Sequence, residues 1–585
     1  MTSTSHSRDV TRAPGSAEAV GRSAFRDVMF YALLLLCVVG LLAVHTAWSK
    51  TVTHDELWHV PVGLRNLRDG QFDVDRLNPP LARMWSAVPL LIMGVSTDHE
   101  TFNSAAGKRF VEDHPTRFPL YFFAARCAHL VWWIAGGLIV TVWTWQLLGR
   151  DSALLAVLLY ATCPNLLAHG SVVTPDAPLM CAFMATLYVC WRWCLNPTWG
   201  WAVLLGILLG VTQGVKFTGL LAYPLVVAAV LWVLVFRTNT AKSRFNVAGQ
   251  GLLAGVLSLV VLAACYGFQG NLVPLNQYQF RAQAMQFMQS LFASIPSIRV
   301  PFPCDYLLGI DEQRFIMESP HPVFLDGQWS VTGFPHYYLM MLVWKIPHLL
   351  QVLFIAGLVR WLFFVRRPGQ RKTLLILLIP ILLVLIVSSR EGMQLGVRYV
   401  LPILPLFIMI ASASADWWAL SSRHFRVALG MILCVLAVFS LRYHPSHLAY
   451  FNEFAGGPIG GRFHLLDSNL DWGQDLHPLS QELKARGWND VSLAYFGTVP
   501  PELLGFKFEL PPSWRPQPGR YAVSVNYVMG RPHVITQGDG ASRGTDFQEF
   551  GYFRFFEPVQ TVGGSIDLYE LTPEDVTRWQ AAQIR

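Results

Sequence analysis

Apolar residues fall in long separated blocks, and polar residues collect in the gaps between them. Blocks near 20 residues suit a bilayer-crossing helix. Spans are expected at roughly 28–48, 119–147, 152–169, 177–194, 200–214, 217–236, 247–268, 337–364, 373–389, 399–418 and 425–442. That makes about eleven spanning helices. The block at 200–214 is short enough to be buried among the others instead of facing lipid. Residues 1–27, rich in Ser, Thr, Ala and Arg, read as a disordered tail, and the first block as an uncleaved signal anchor.

Other periodicities mark the gaps. Leu57, Val60, Leu64 and Leu67 share one helical face that Gly70 ends, which predicts a helix lying at the interface. Leu77-Asn78-Pro79-Pro80-Leu81 forces an extended turn, and Met84 to Val95 predicts a second interfacial helix. Beyond Tyr443, Leu476, Leu479 and Leu483 recur at helical spacing before Gly487. Val491–Phe496, Tyr521–Val528 and Ser565–Leu571 read as strands. The expected fold is a polytopic α-helical membrane domain over 28–442 with outer loops 49–118 and 267–336. A soluble α/β or α+β domain is expected over 443–585.

Composition agrees with a membrane protein: 53% of residues are hydrophobic and 14% charged, against about 25% charged in soluble domains. Net charge is +7, but the basic residues cluster beside apolar blocks. Arg8, Arg12, Arg22 and Arg26 precede the first. Arg150, then Arg237, Lys242 and Arg244, then Arg366, Arg367, Arg371 and Lys372, then Arg423 and Arg426 flank later ones. With eleven spans these groups fall on one side, which places the N-terminus in the cytoplasm and the C-terminal domain outside a plasma or inner membrane. No basic-aromatic stripe suggests nucleic acid. Eight of the nine cysteines lie in apolar blocks, without a paired CxxC motif, and read as small packing residues.

Chemistry concentrates at one membrane face. Thr53-His54-Asp55-Glu56-Leu57-Trp58-His59 follows the first span. Adjacent carboxylates there read either as a helix start or as a general base at the membrane surface. Arg126 and His129 sit within a span. Asp176, Lys216, Arg390, Glu391 and Arg398 lie beside spans, where charge is costly and therefore informative. With Asp55 and Glu56 they can form a site for an anionic, lipid-linked substrate, or act as independent helix-end anchors. No GxxxxGK[ST] loop indicates a nucleotide. His54 and His59 flank the acids, but the sequence gives no firm metal site, and a divalent metal is left open without support.

In their order, His54-Asp55-Glu56, Asn78-Pro79-Pro80-Leu81, Thr174-Pro175-Asp176-Ala177-Pro178, Lys216-Phe217-Thr218 and Arg398-Tyr399-Val400-Leu401-Pro402 resemble GT-C glycosyltransferases. They are most similar to bacterial relatives of the dolichyl-phosphate-mannose–protein mannosyltransferases (PMT), a group that includes aminoarabinose transferases of lipid A. The resemblance spans about residues 28–442. The tail stretches Tyr450-Phe451-Asn452-Glu453 and Asp467-Ser468-Asn469-Leu470-Asp471-Trp472-Gly473-Gln474-Asp475 also look like bacterial members of this group, without an assigned role.

The resemblance implies a polyprenyl-phosphate-linked sugar donor, a hydroxyl acceptor on protein, lipid or glycan, and inversion at the anomeric carbon. It maps the catalytic base onto Asp55, with Glu56 beside it. It makes Arg83, Lys216 and Arg398, assisted by Tyr399, the candidates for the carrier phosphate. His54, Asn78, Asp176 and Glu391 are candidates for the pocket. Where some relatives carry Lys or His before the proline pair, this chain has Asn78. A transporter or flippase of a lipid-linked substrate is the alternative. The absence of an internal repeat, and charges at one face instead of the midplane, favour the enzyme.

Overall fold

The computed structural model describes residues 14–97, 105–364, 368–415 and 441–583, with isolated positions between 427 and 438. Half of the block expected at 425–442 lies outside the described residues, as does the tail before Pro14. From Pro14 the chain is helical, in one element reaching Ser49. Proline suits the first helical turn, and the Ala-, Glu- and Arg-containing stretch behind it continues into the apolar block.

Among the described residues, five helices are long and apolar enough to cross a membrane: Arg22–Ser49, Phe118–Leu148, Asp176–Leu195, Phe217–Phe236 and Ala241–Cys265. Their outward faces carry Phe30, Leu34, Leu41, Leu252, Val256 and Val260, all exposed. A protein surrounded by water would not leave such continuous apolar faces bare, so lipid is their solvent. The protein is therefore a multi-pass membrane protein.

Two expected spans are bent. Residues 152–169 divide into Arg150–Ala161 and Pro164–Gly170, turned by 61°, and 337–364 divides at Ile346-Pro347 with a 114° turn. Proline cannot donate the ladder hydrogen bond and clashes with the preceding turn. The described residues also hold four apolar helices of 10–17 residues, Leu81–Ile92, Trp199–Val215, Thr373–Ser389 and Leu401–Ser412.

A break inside an apolar region frees backbone carbonyls that must find donors. At the 114° break Gln351, Asn165 and the tail supply them. Asn452 Nδ2 donates to the carbonyls of Val343 (2.6 Å) and Ile346 (2.9 Å), and the Asn452 amide donates to Trp344 (3.0 Å). Asn165 caps the Lys345 carbonyl at 2.6 Å. Buried Lys345 points its ammonium at the carbonyls of Leu448 (3.1 Å), Tyr450 (2.5 Å) and Asn469 (2.7 Å). The Tyr450–Glu453 stretch is thus a clamp on a broken helix.

The gaps are structured. Helices Glu56–Asp69 and Leu81–Ile92 pair closely, with Gly70 in the left-handed conformation as the first one's C-terminal stop. The second loop holds helices Gln283–Ser290 and Cys304–Glu318, and a hairpin pairing Val323–Leu325 with Gln328–Ser330 through Asp326-Gly327.

The tail is α+β. Helix Leu476–Arg486 lies by a four-stranded sheet ordered Ser492–Ala494, Gly519–Ser524, Ile566–Leu571, Gln560–Val562. The first pair is parallel and the other two antiparallel. Tyr521–Val528, expected as one strand, turns into a short helix after Ser524. Leu476, Leu479 and Leu483 bury in one cluster with Leu493, Ala522 and Leu568, and that cluster continues into Val52, Leu57, Val60, Leu64 and Phe122. Each such side chain contributes about 1.5–3 kcal/mol. The tail and the first loop therefore share a core.

Candidate active site

Asp55 and Glu56 sit where the chain leaves the first long helix and starts the Glu56–Asp69 helix. They have opposite environments. Glu56 is fully buried and accepts from the Thr53 amide (2.9 Å), the Thr53 hydroxyl (2.9 Å), the Val173 amide (2.8 Å), and Arg126 at 2.7 and 2.5 Å. Arg126 also donates to the carbonyls of Ala47, Lys50 and Thr51, which end the first long helix. Burial pushes the Glu56 carboxyl up, but the Arg126 charge and these donors more than reverse it and hold it below the usual range. Its acceptor positions are filled, and it joins three segments as a structural hub.

Asp55 is partly open, its side chain 27% exposed, and meets Arg398 at 2.5 Å. Burial raises its pKa, while Arg398, His54 and His59 lower it, and the net direction is down. It is ionised at neutral pH and retains an accessible oxygen. His54 is lowered, chiefly by burial, and is a neutral imidazole at neutral pH.

Arg398 lies in the tight turn Val397–Tyr399. Its guanidinium is 4.6 Å from the centre of the Trp472 ring and 5.7 Å from that of Tyr399. Lys216 reaches the same tyrosine ring at 4.9 Å and pairs with Asp176 at 2.5 Å. Lys216 projects from an extended residue between helix Trp199–Val215 and the turn Phe217–Leu221, and Asp176 opens its helix behind Pro175. Residues far apart in sequence, Asp55, Asp176, Lys216, Arg398 and Tyr399, thus form one patch with two cations on one aromatic ring.

Other candidates do not join the patch. Arg83 is 3% exposed and engaged by Asn66 (2.8 Å), the Asp75 carboxylate (2.7 Å) and the Asp75 carbonyl (2.7 Å), which leaves it committed to the loop fold. Glu391 faces Arg314 at 2.8 Å near the surface, at the end of the second loop's long helix. Asn78 lines a small cavity with His59, Arg83 and Thr174, beside the patch instead of within it. His129 is buried against Ser86 at 3.0 Å and braces two helices. All nine cysteines are free. Among the described residues, no three His, Cys, Asp or Glu side chains gather as a metal site.

The tail supplies residues that the sequence pattern did not assign. The His54 amide donates to the Trp472 carbonyl (3.0 Å), the Thr51 amide to that of Gln474 (2.9 Å), and Lys50 pairs with Asp475. Ser468 donates to Leu395 (2.7 Å), and Asn469 accepts from the Val397 amide (3.2 Å). Gly396 has φ +91°, and a Cβ there would meet Asn469 Oδ1 at 2.2 Å. Asp467 pairs with Arg531 at 2.5 Å, and the rings of His54 and His533 lie 5.6 Å apart. The Asp467–Asp475 stretch was visible as a motif, whereas nothing around Gly530-Arg531-Pro532-His533 distinguished it from an ordinary turn.

Residues 69–277 match the family model described as dolichyl-phosphate-mannose–protein mannosyltransferase. Over that stretch, a little more than a third of its length, the chain is similar to the PMT glycosyltransferases. The matched stretch includes Asp176 and Lys216 and stops short of Arg398. Among solved structures, the chain is similar to ArnT from Cupriavidus metallidurans bound to undecaprenyl phosphate, at 12% identity and TM-score 0.46, covering 87% of this chain and 96% of that one. The apo form of ArnT gives 14% identity and TM-score 0.44, covering 81% and 74%. The S. cerevisiae Pmt1–Pmt2 complex bound to its sugar donor gives 19% and 0.32, covering 41% and 33%. No curated protein matches the chain.

Proposed function

We propose that the protein moves a sugar from a polyprenyl-phosphate carrier to a hydroxyl acceptor, with inversion, at the extracytoplasmic face of a cell membrane. The observation that carries this is the pairing of a partly open, ionised Asp55 with Arg398 (2.5 Å), beside a second cation across Tyr399. One group can take a proton while the others take negative charge. The family match and the undecaprenyl phosphate bound to ArnT support the carrier class.

In this mechanism the acceptor oxygen attacks C1 of the sugar as its proton passes to Asp55. The C1–oxygen bond to the carrier breaks on the opposite face, and the electron pair leaves with the phosphate. Charge grows on that phosphate, and Arg398 and Lys216 stabilise it in a site of low dielectric. Arg398 can donate two parallel bonds to phosphate oxygens, and Lys216 acts as a point charge. Proton transfer of this kind is worth about 10²–10⁴ in rate.

The same proposal reads 28–442 as the membrane part and 443–585 as an extracytoplasmic domain, with the N-terminus in the cytoplasm. The five long helices, the two bent pairs, the apolar helices Trp199–Val215, Thr373–Ser389 and Leu401–Ser412, and residues 425–442 would make up the eleven spans. The test is sugar transfer from a polyprenyl-phosphate donor by the purified protein. Asp55→Asn should insert normally and lose transfer, and wild-type turnover by this variant would remove Asp55 as the base.

A further inference from the structure

The Asp467–Arg531 pair lies against the patch, and no step above uses it. Asp467 is held at φ +62°, a conformation that disfavours a side chain and that the surroundings must stabilise. Its amide donates to Asn526 (2.8 Å), and its carboxylate accepts from the Ser468 amide (2.5 Å) and from Arg531 (2.5 Å). The tail thus spends local strain to place a carboxylate under one guanidinium.

Arg531 is 8% exposed. One terminal nitrogen donates to the Pro322 carbonyl (3.2 Å) in the second loop, another pairs with Asp467, and its buried Nε has no partner among the described residues. Arg398 has the same pattern: a carboxylate on one terminal nitrogen, an aromatic ring beneath (Trp472, as Phe496 lies beneath Arg531), and a buried Nε with no partner among the described residues. An unmet buried guanidinium N–H is costly unless a ligand supplies the acceptor. The two arginines belong to one charged array. His54 and His533 face each other between their segments, and both Arg531 and Arg398 counter the burial of Asp467 and hold its carboxyl low.

We propose that Arg531, positioned by Asp467, is a second guanidinium of the substrate site and binds a phosphate oxygen of a substrate that also engages Arg398. This rests on the reading of the substrate as phosphate-bearing. The phosphate has two possible sources, the polyprenyl carrier and a phosphorylated acceptor. In both cases the tail completes the site chemically as well as mechanically.

The experiment measures binding of two probes, undecaprenyl phosphate and lipid A, to the full-length protein in nanodiscs. Wild type is compared with Arg398→Ala, Arg531→Ala, Arg531→Lys and Asp467→Asn. Loss of one charge-assisted contact should weaken binding about 10- to 100-fold in Arg531→Ala. Arg531→Lys, which keeps charge without the fork, should fall between it and wild type. Weakened undecaprenyl phosphate binding assigns Arg531 to the carrier, and weakened lipid A binding alone assigns it to the acceptor. Wild-type affinity for both probes in Arg531→Ala, with only a lowered melting temperature, would mean a purely structural tie and overturn the inference. Should Arg531→Ala fail to fold, wild-type affinity in Arg531→Lys overturns it equally. Failure of wild type to bind undecaprenyl phosphate, or indifference of Arg398→Ala, would sink the functional reading itself.

Discussion

Two adjacent carboxylates should respond to the same conservative change in opposite ways. Asp55→Asn removes the proposed base, a partly exposed carboxylate paired with Arg398, and asparagine can still accept from that arginine. Folding should survive, and turnover should fall about 10²–10⁴-fold. Glu56→Gln replaces a carboxylate that accepts five hydrogen bonds in full burial. Arg126 would then be a buried cation without its counter-charge, and breaking such a pair costs about 3–5 kcal/mol. In a melting assay on detergent-solubilised protein this corresponds to a fall of roughly 10 °C, with lower folded yield. The two readouts are melting temperature and transfer per folded molecule. Glu56→Gln should be unstable yet retain transfer in whatever remains folded, and Asp55→Asn should show the reverse. A stable, inactive Glu56→Gln beside an unstable, active Asp55→Asn would refute the assignment of base and hub.

Further outcomes follow from the same geometry. Because the Asp55 pKa is depressed in the fold, the ionised base and its stabilising pairing are present above the ordinary value near 3.8 and are lost as pH falls through the lower folded value; the acid limb of a transfer-against-pH profile should therefore carry no Asp55 step between pH 5 and 7. Tyr399→Phe keeps the ring beneath both cations and should retain most transfer, while Tyr399→Ala loses two cation–π contacts worth about 0.5–2 kcal/mol each and should raise the donor KM. Gly396→Ala puts a methyl group against Asn469 at a left-handed position, so limited proteolysis should cut its tail faster than that of wild type.

Much of the helical framework was legible because apolar block length and the interfacial periodicities are local signals. Helix Glu56–Asp69 with its Gly70 stop, and the helix ending at Gly487, lie where their residues indicated. The breaks were not legible. Ile346-Pro347 sits inside a run that reads as one span, and the carbonyls freed by its 114° turn are met by Gln351 nearby and by Asn165 and Asn452, each over 100 residues away. The site was partly legible. Charges beside spans marked Asp55, Asp176, Lys216 and Arg398, but the same signal marked Glu391, and the family resemblance added Arg83. Asp75 and Arg314 occupy those two by contacts that no local pattern encodes. Arg531 had no signal, since a basic residue in a Gly-Arg-Pro turn is ordinary on a surface.

The ties between the first loop and the tail also bear on how the protein comes into being. Asp55 and Arg398 are 343 residues apart, and Lys50 and Asp475 are 425 apart. The end of the first long helix must wait in the membrane, its partners unsynthesised, until most of the chain has followed. A ribosome that stops before the codons for residues 467–475 releases a protein whose bundle is inserted but whose Thr51, His54 and Val397 amides lack their acceptors. Incomplete translation products should thus be idle passengers in the bilayer, open to quality-control proteases, and activity should begin only when the last quarter of the polypeptide has been made.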